Sequence, residues 1–135
     1  MSIFIASDHA GFELKEYLQT QFNLLNLGTH NEESCDYPVF AKKLAIRLKN
    51  DDKGILICGT GIGMSIAANR FKNIRAALCF NEEMAKLARQ HNDANILVLG
   101  ARIISPETAK TCVEKFLSTD FEGGRHQRRL ELIDI

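Results

Sequence analysis

Short runs of consecutive apolar residues alternate along the chain with longer segments in which apolar residues recur at helical spacing. The short runs predict five buried strands, because they are apolar almost throughout; they cover residues 2–6, 24–27, 54–58, 75–79 and 95–99. Strands that alternate with helices form a parallel sheet covered on both faces. The pattern therefore predicts a three-layer, Rossmann-like, doubly wound α/β fold with a five-stranded parallel sheet.

Two of the intervening helices have clear start signals. Asn81 is a good N-cap for one helix, and Ser105 followed by Pro106 is a good start for a helix that extends to about residue 118. The tail does not follow the alternation, because a basic cluster at 123–129 precedes an amphipathic segment at 130–135. We expect a single domain over residues 1–135, with the tail (119–135) packed on its own domain or at a subunit interface.

Composition excludes several classes of partner and cofactor. The 135 residues carry 17 basic and 17 acidic side chains, which argues against nucleic acid or a membrane as the main partner. The chain has no apolar run of membrane-spanning length, and its first residues do not resemble a signal peptide. Its four cysteines form no CxxC pair, which predicts reduced thiols in a cytoplasmic protein, with no metal and no cofactor.

The glycine-rich turn from Cys58 to Gly63 is the clearest motif. It departs from the dinucleotide fingerprint because Met64 stands where a third glycine is required, and it lacks the GK[ST] ending of a P-loop. Glycines at alternate positions either let backbone N–H groups converge on a small anion or simply form a tight turn. Cys58, at the start of this turn, is either a reactive thiolate or a small buried hydrophobic residue.

Other polar residues flank the predicted strands, and ligands of open parallel sheets bind beyond the carboxyl ends of strands. We place Asp8 and His9, the turn containing His91, and Arg102 at that edge. A structural alternative for Asp8 and His9 is a loop cap, and for the turn containing His91 it is a helix C-cap. Arg125 and Arg129, four residues apart, suit a phosphate or form a solvated face. Together these groups favour proton abstraction next to a carbonyl in a small phosphorylated substrate.

Five motifs, spread in order over nearly the whole chain, carry a family resemblance. They lie at residues 7–12 (SDHAGF), 36–38 (DYP), 54–63 (GILICGTGIG), 89–93 (RQHND) and 123–127 (GGRHQ). In these segments the chain resembles the type B ribose-5-phosphate isomerases, which belong to a wider group that includes allose- and galactose-6-phosphate isomerases. The resemblance implies a homodimer or homotetramer that interconverts ribose 5-phosphate and ribulose 5-phosphate through an enediolate, without a metal.

The resemblance also implies roles for individual residues. Cys58 would move the proton between C2 and C1, His91 would open the sugar ring, and Asp8 would share proton transfers. Groups that hold the substrate oxygens and the enediolate would be the side chains of Thr60 and Asn92 and the backbone of Gly59, Thr60, Gly61, Ile62 and Gly63. The sugar pocket and phosphate site would include Tyr37, His9, Arg102, Arg125 and Arg129. Some of these residues would come from a partner chain, because the family shares its site across the dimer.

Two alternatives remain open from the sequence. Cys58 matches the thiol branch of the family, and His91 with the GGRH tail favours a pentose phosphate, but allose 6-phosphate or another hexose 6-phosphate is a second candidate substrate. A non-catalytic sugar-phosphate sensor would use the same anion-binding turn.

Overall fold

The computed structural model describes residues 1–133, which form one five-stranded parallel sheet between two layers of helices. The strands are β1 (Ile3–Ser7), β2 (Leu25–Asn26), β3 (Lys53–Cys58), β4 (Ala76–Leu78) and β5 (Ile96–Gly100). Their order across the sheet is β2-β1-β3-β5-β4, and every neighbouring pair is parallel. The predicted fold class is confirmed.

Six helices in the described part of the chain connect or follow the strands. They are α1 (Phe12–Gln21), α2 (Tyr37–Ala45), α3 (Ile62–Ala68), α4 (Glu82–Asn92), α5 (Pro106–Ser118) and α6 (Arg125–Ile133). Both predicted caps are confirmed, since Asn81 accepts a 2.8 Å hydrogen bond from the Met84 N–H and Ser105 accepts one of 3.1 Å from the Thr108 N–H. Among the helices of residues 1–133, none has the length and apolar character needed to cross a membrane.

Several element bounds differ from the sequence prediction. β2 has only two residues, 25–26, instead of the four predicted over 24–27, and α3 covers 62–68. The side chain of Asn69 ends α3. Its amide nitrogen donates to the Ala76 carbonyl (2.9 Å), and its amide oxygen accepts from the N–H of Ala76 (2.8 Å), the residue at which β4 starts. The tail helix begins at Arg125, before the predicted amphipathic segment, whose last two residues lie outside the described chain.

The side chains of β3 alternate between two separate hydrophobic cores. Ile55 and Ile57 face the layer that contains α1, α4 and α5, whereas Leu56 and Cys58 face the layer that contains α2 and α3. All four side chains are buried. Cys58 therefore ends β3 on the face covered by α2 and α3.

One charged side chain is completely buried in the α1 layer. Lys15 has no exposed surface, and its Nζ atom lies 3.0 Å from the Glu16 carboxylate and 5.0 Å from the centre of the Phe12 ring. A buried ammonium is tolerated only when it is paired, and both contacts are of the kind that stabilise a cation. The apolar pattern of α1 gave no indication of this burial.

The strand order fixes where a ligand can enter. The chain moves from β1 to β2 on one side and then returns to β3 on the other side, so the strand order reverses between β1 and β3. In open parallel sheets a crevice forms at the carboxyl ends of such a strand pair. Asp8 follows β1 and the glycine-rich turn follows β3, so both line this crevice.

Candidate active site

Cys58 lies at the carboxyl edge of the sheet as the last residue of β3. Its Sγ atom accepts a hydrogen bond of 3.2 Å from the N–H of Gly61, and a donor at this distance stabilises negative charge on sulfur. Cys79 and Cys112 have no such setting; burial raises the pKa of Cys79 to about 12 and that of Cys112 to about 11. The geometry therefore distinguishes Cys58 from these two inert thiols.

The turn after Cys58 has the conformation of an anion cradle. Gly61 adopts a left-handed φ of 81°, and a Cβ atom there would lie 2.5 Å from Leu78 Cδ1, so the turn requires glycine at this position. The Ile62 N–H donates to Thr60 Oγ1 at 3.2 Å. Within residues 1–133, the N–H groups of Thr60 and Gly63 have no hydrogen-bond partner, so they are available to bind an anion.

Arg102 and Tyr37 lie on either side of this turn. The Arg102 N–H donates to the Gly59 carbonyl at 2.9 Å, and the guanidinium packs against Gly59, where a Cβ atom would come within 2.8 Å of Nη1. The Tyr37 ring packs against Gly63 in the same way, 2.5 Å from an equivalent Cβ position. A cation and a phenol ring therefore border the cradle.

Asp8 and His9 complete the group at this edge. Asp8 is buried, its N–H donates to the Ile57 carbonyl (3.2 Å), and its carboxylate accepts from the Gly11 N–H (3.1 Å). His9 accepts a hydrogen bond at Nδ1 from the Cys35 N–H at 3.2 Å. The structure thus brings together ten of the predicted site residues, namely Asp8, His9, Tyr37, Cys58, Gly59, Thr60, Gly61, Ile62, Gly63 and Arg102.

His91 and Asn92 lie at the opposite edge of the sheet, contrary to the expectation for the turn before β5. They end α4, which starts beyond the carboxyl end of β4 and returns the chain to the amino end of β5. Arg75, just before β4, donates through Nε to the carbonyls of Asn92 (3.0 Å) and Asp93 (3.1 Å). Because the six residues of β3 are separated by five steps of about 3.3 Å, the two edges are roughly 17 Å apart.

The tail packs beside His91 at this second edge. The imidazole rings of His91 and His126 are stacked, with their centres 4.4 Å apart and an angle of 15° between the planes. Burial, and then the neighbouring His91, lower the pKa of His126 below its usual value. Arg125 and Arg129 are exposed on the same helix, one turn apart. The structure therefore places the tail arginines with His91 rather than with Cys58.

His126 was not among the residues assigned a role from the sequence, although it stands in the GGRHQ motif. Its burial and that of Leu130, four residues later, define the inner face of α6. The four-residue spacing of His126 and Leu130 is visible in the sequence. The surface against which these two side chains pack is not.

One group of side chains in residues 1–133 has the composition of a metal site: His91, Glu122 and His126, whose ligand atoms all lie within 4.8 Å of one another. The lone pairs of an imidazole lie in the plane of its ring, and these two rings are nearly parallel. Because the two ring planes do not meet near the rings, no single ion can lie in both planes and be bound by one nitrogen of each imidazole. The arrangement observed does not fit a metal ion.

A doubly wound α/β domain with a thiol and an anion-binding turn at the carboxyl edge of its sheet has the site of an enzyme that acts on small anionic substrates. This chain belongs to the ribose/galactose isomerase family, whose model matches residues 3–133. It is therefore an isomerase, and the resemblance inferred from the five motifs is confirmed.

Individual relatives agree with this membership over nearly their full lengths. Ribose-5-phosphate isomerase B of Escherichia coli is 44% identical over 133 residues, which cover 93% of this chain and 89% of the relative. The crystal structure of a ribose 5-phosphate isomerase from Thermotoga maritima is 54% identical, with a TM-score of 0.93 over 98% of this chain and 97% of that one. The Mycoplasma genitalium ribose-5-phosphate isomerase B with bound ribulose-5-phosphate is 46% identical, with a TM-score of 0.86 over 98% and 93%.

Proposed function

We propose that this protein interconverts D-ribose 5-phosphate and D-ribulose 5-phosphate through an enediolate, with Cys58 as the base. The observation that carries the proposal is the Cys58 Sγ atom, which is hydrogen-bonded to Gly61 N–H at the mouth of an anion-binding turn. A base and an oxyanion cradle in contact with each other are what proton abstraction next to a carbonyl requires. The ribulose-5-phosphate bound by the M. genitalium relative supports the choice of substrate.

In the proposed reaction, the Cys58 thiolate removes the proton from C2 of the open-chain aldose. The electrons of the C2–H bond form a C1–C2 double bond, and negative charge develops on the oxygen at C1. The free N–H groups of Thr60 and Gly63 stabilise this charge, and Asn92 adds a further donor. Cys58 then returns the proton to C1 while the C2 hydroxyl becomes a carbonyl; Thr60 and Asp8 assist the proton transfers between the oxygens.

Ring opening precedes this step, since ribose 5-phosphate is mainly a furanose. We assign His91 as the acid and base that opens the ring, and Asp8 shares the proton transfers. His9, Arg102, Arg125 and Arg129 bind the phosphate as charged or hydrogen-bond donors, and Tyr37 lines the sugar pocket.

The proposed site needs two chains, because a proton can be transferred only within hydrogen-bond reach, about 3 Å. Cys58 and His91 lie at opposite edges of the sheet, roughly 17 Å apart by strand length. We therefore assign His91, Asn92, Arg125 and Arg129 of each site to the partner in a homodimer, which can pair further into a tetramer. Val39, Ile62 and Ile66 are exposed on α2 and α3 beside the Cys58 turn, and they give a second copy an apolar surface to cover.

Two further assignments accompany this proposal. Residues 1–135 act as a single sugar-phosphate isomerase domain, and the protein works in the cytoplasm. All four cysteines are free thiols, which suits a reducing compartment.

The first experiment is to measure ribulose 5-phosphate formation from ribose 5-phosphate by purified protein in EDTA. Turnover in EDTA supports a metal-independent isomerase of this substrate. The family also includes galactose isomerases, which act on a six-carbon sugar. Allose 6-phosphate is therefore a six-carbon second substrate to compare, by kcat/KM. Saturable binding of both sugar phosphates without turnover would contradict the proposed reaction and support the alternative of a non-catalytic sugar-phosphate sensor.

A further inference from the structure

The stacked pair of His91 and His126 suggests a role for a residue outside the reaction described above. We propose that His126 is a positioning residue that holds the His91 imidazole in the orientation needed for ring opening. This inference rests on the proposed function, because it gives His126 a purpose only if His91 acts on the sugar ring.

His91 has little else to hold its ring. It lies in the last turn of α4 and is half-buried, and no side-chain hydrogen bond to its imidazole exists within residues 1–133. One face of the ring is covered by His126 at a centre-to-centre distance of 4.4 Å. A stack of this kind restrains the plane of the ring but leaves both nitrogens open to a substrate. An acid and base with unoccupied nitrogens requires such a support.

His126, in contrast, is firmly anchored. It is buried on the inner face of α6, and its N–H donates to the Gly123 carbonyl at 3.1 Å. The preceding residue of that turn, Glu122, donates its own N–H to the Gln90 carbonyl at 3.1 Å, next to His91 in α4. Gly123, with a φ of 72°, lets the chain reverse at this point. The tail is thus fixed to the end of α4 by Glu122, four residues before His126.

The charges around the pair fit a supporting role for His126. Arg125 and Arg129 belong to its own helix, and Glu122 lies 3.6 Å from its Nε2 atom, beyond hydrogen-bond distance. Burial and the adjacent His91 lower its pKa, so at neutral pH the ring is uncharged and provides a neutral surface. His91 can then gain or lose a proton beside a partner that does not compete for it.

The test separates ring opening from proton abstraction. Ribulose 5-phosphate cannot close to a furanose, because its C5 oxygen carries the phosphate. The incorporation of solvent deuterium at its C1 therefore requires Cys58 but no ring-opening step. Isomerisation of ribose 5-phosphate requires both.

We expect His126→Ala to lower kcat for ribose 5-phosphate by about 10- to 100-fold, the loss typical of a displaced catalytic group. Deuterium incorporation at C1 of ribulose 5-phosphate should stay within about twofold of the wild-type rate, because His126 acts through His91 and this exchange needs no ring opening. His126→Phe keeps a flat ring against His91 and should recover most of kcat. Gln127→Ala, an exposed neighbour on α6, is the matched control and should change neither rate.

Equal loss of both rates in His126→Ala would overturn the proposal, because a general structural defect would account for it. An unchanged kcat would overturn it as well, and so would a His126→Phe variant no better than His126→Ala. Failure of the proposed function is recognised separately, since wild-type protein would then show no isomerisation of ribose 5-phosphate.

Discussion

The N–H of Cys35 donates a 3.2 Å hydrogen bond to Nδ1 of His9, which joins the loop before α2 to the loop after β1. A backbone N–H can only donate, so Nδ1 of His9 must be the accepting, unprotonated nitrogen. The remaining ring proton then belongs to Nε2, which can donate it to a phosphate oxygen. The fold therefore selects the tautomer that a phosphate ligand needs.

Removing His9 should weaken phosphate binding more than catalysis. We expect His9→Ala to raise KM for ribose 5-phosphate by about 10- to 100-fold, the value of one hydrogen bond to a charged group, with a smaller change in kcat. His9→Gln should recover part of the loss, because its amide nitrogen occupies nearly the place of Nε2. Steady-state kinetics and inhibition by inorganic phosphate would measure both effects. Cys35→Ser keeps the backbone donor and is the control; a tenfold increase in its KM would contradict this account.

Loss of the Cys58 thiol should abolish the chemical step without unfolding the protein. In the proposed mechanism Cys58→Ala removes the general base, and such a loss typically costs about 10²- to 10⁴-fold in kcat. Circular dichroism and the thermal midpoint would check that the fold is retained, and Cys35→Ser provides a thiol-removal control nearby. Turnover near the wild-type rate in Cys58→Ala would rule out its role as the base.

Two inactive variants should restore each other if the site is shared. In a mixed dimer of Cys58→Ala and His91→Ala chains, one of the two sites keeps both groups and the other loses both. Random mixing makes half of the dimers mixed, so about a quarter of wild-type activity should return after the variants are unfolded and refolded together. Mixing Cys58→Ala with Cys58→Ser is the control and should restore nothing. A complete site within one chain would give no recovery in either mixture.

The buried thiols should make the fold less stable at alkaline pH. Burial raises the pKa of Cys79 from 9.0 to about 12 and that of Cys112 from 9.0 to about 11. Above about pH 9 the unfolded chain therefore releases protons that the folded chain retains, so the free energy of unfolding falls as pH rises. Urea unfolding at pH 8, 9 and 10 should show this slope. In a Cys79→Ala, Cys112→Ala double variant the decrease should be smaller; an identical slope would assign it to other groups.

The sequence predicted most of the fold because its decisive signals are local. β3 and β5 are buried on both faces, so they read directly as apolar runs, and Asn81 and Ser105 act as caps within three residues of their partners. β2 was harder to predict, since it is an edge strand beside β1 and leaves Leu25 half exposed. Short edge strands carry a weak pattern.

The site was predicted in part, and the errors have a physical origin. Cys58 and its turn are contiguous, so their spacing indicated either an anion cradle or a tight turn, and the family resemblance favoured the cradle. The position of His91 depends on topology: a helix that follows a parallel strand returns the chain to the opposite edge, so its last turn cannot lie with the carboxyl ends. The stack with His126 joins residues 35 positions apart, and no local pattern encodes such a contact.

The complete burial of Lys15 makes this side chain a chemical reporter of local opening. An amine-reactive reagent can modify an exposed lysine in the native protein, but it reaches Lys15 only after α1 has separated from its layer. Mass spectrometry of protein labelled for increasing times would therefore record how often this layer opens, from one peptide and without an added probe. The α1 layer does not cover Cys58, so this signal would follow motions of the scaffold separately from those of the glycine-rich turn.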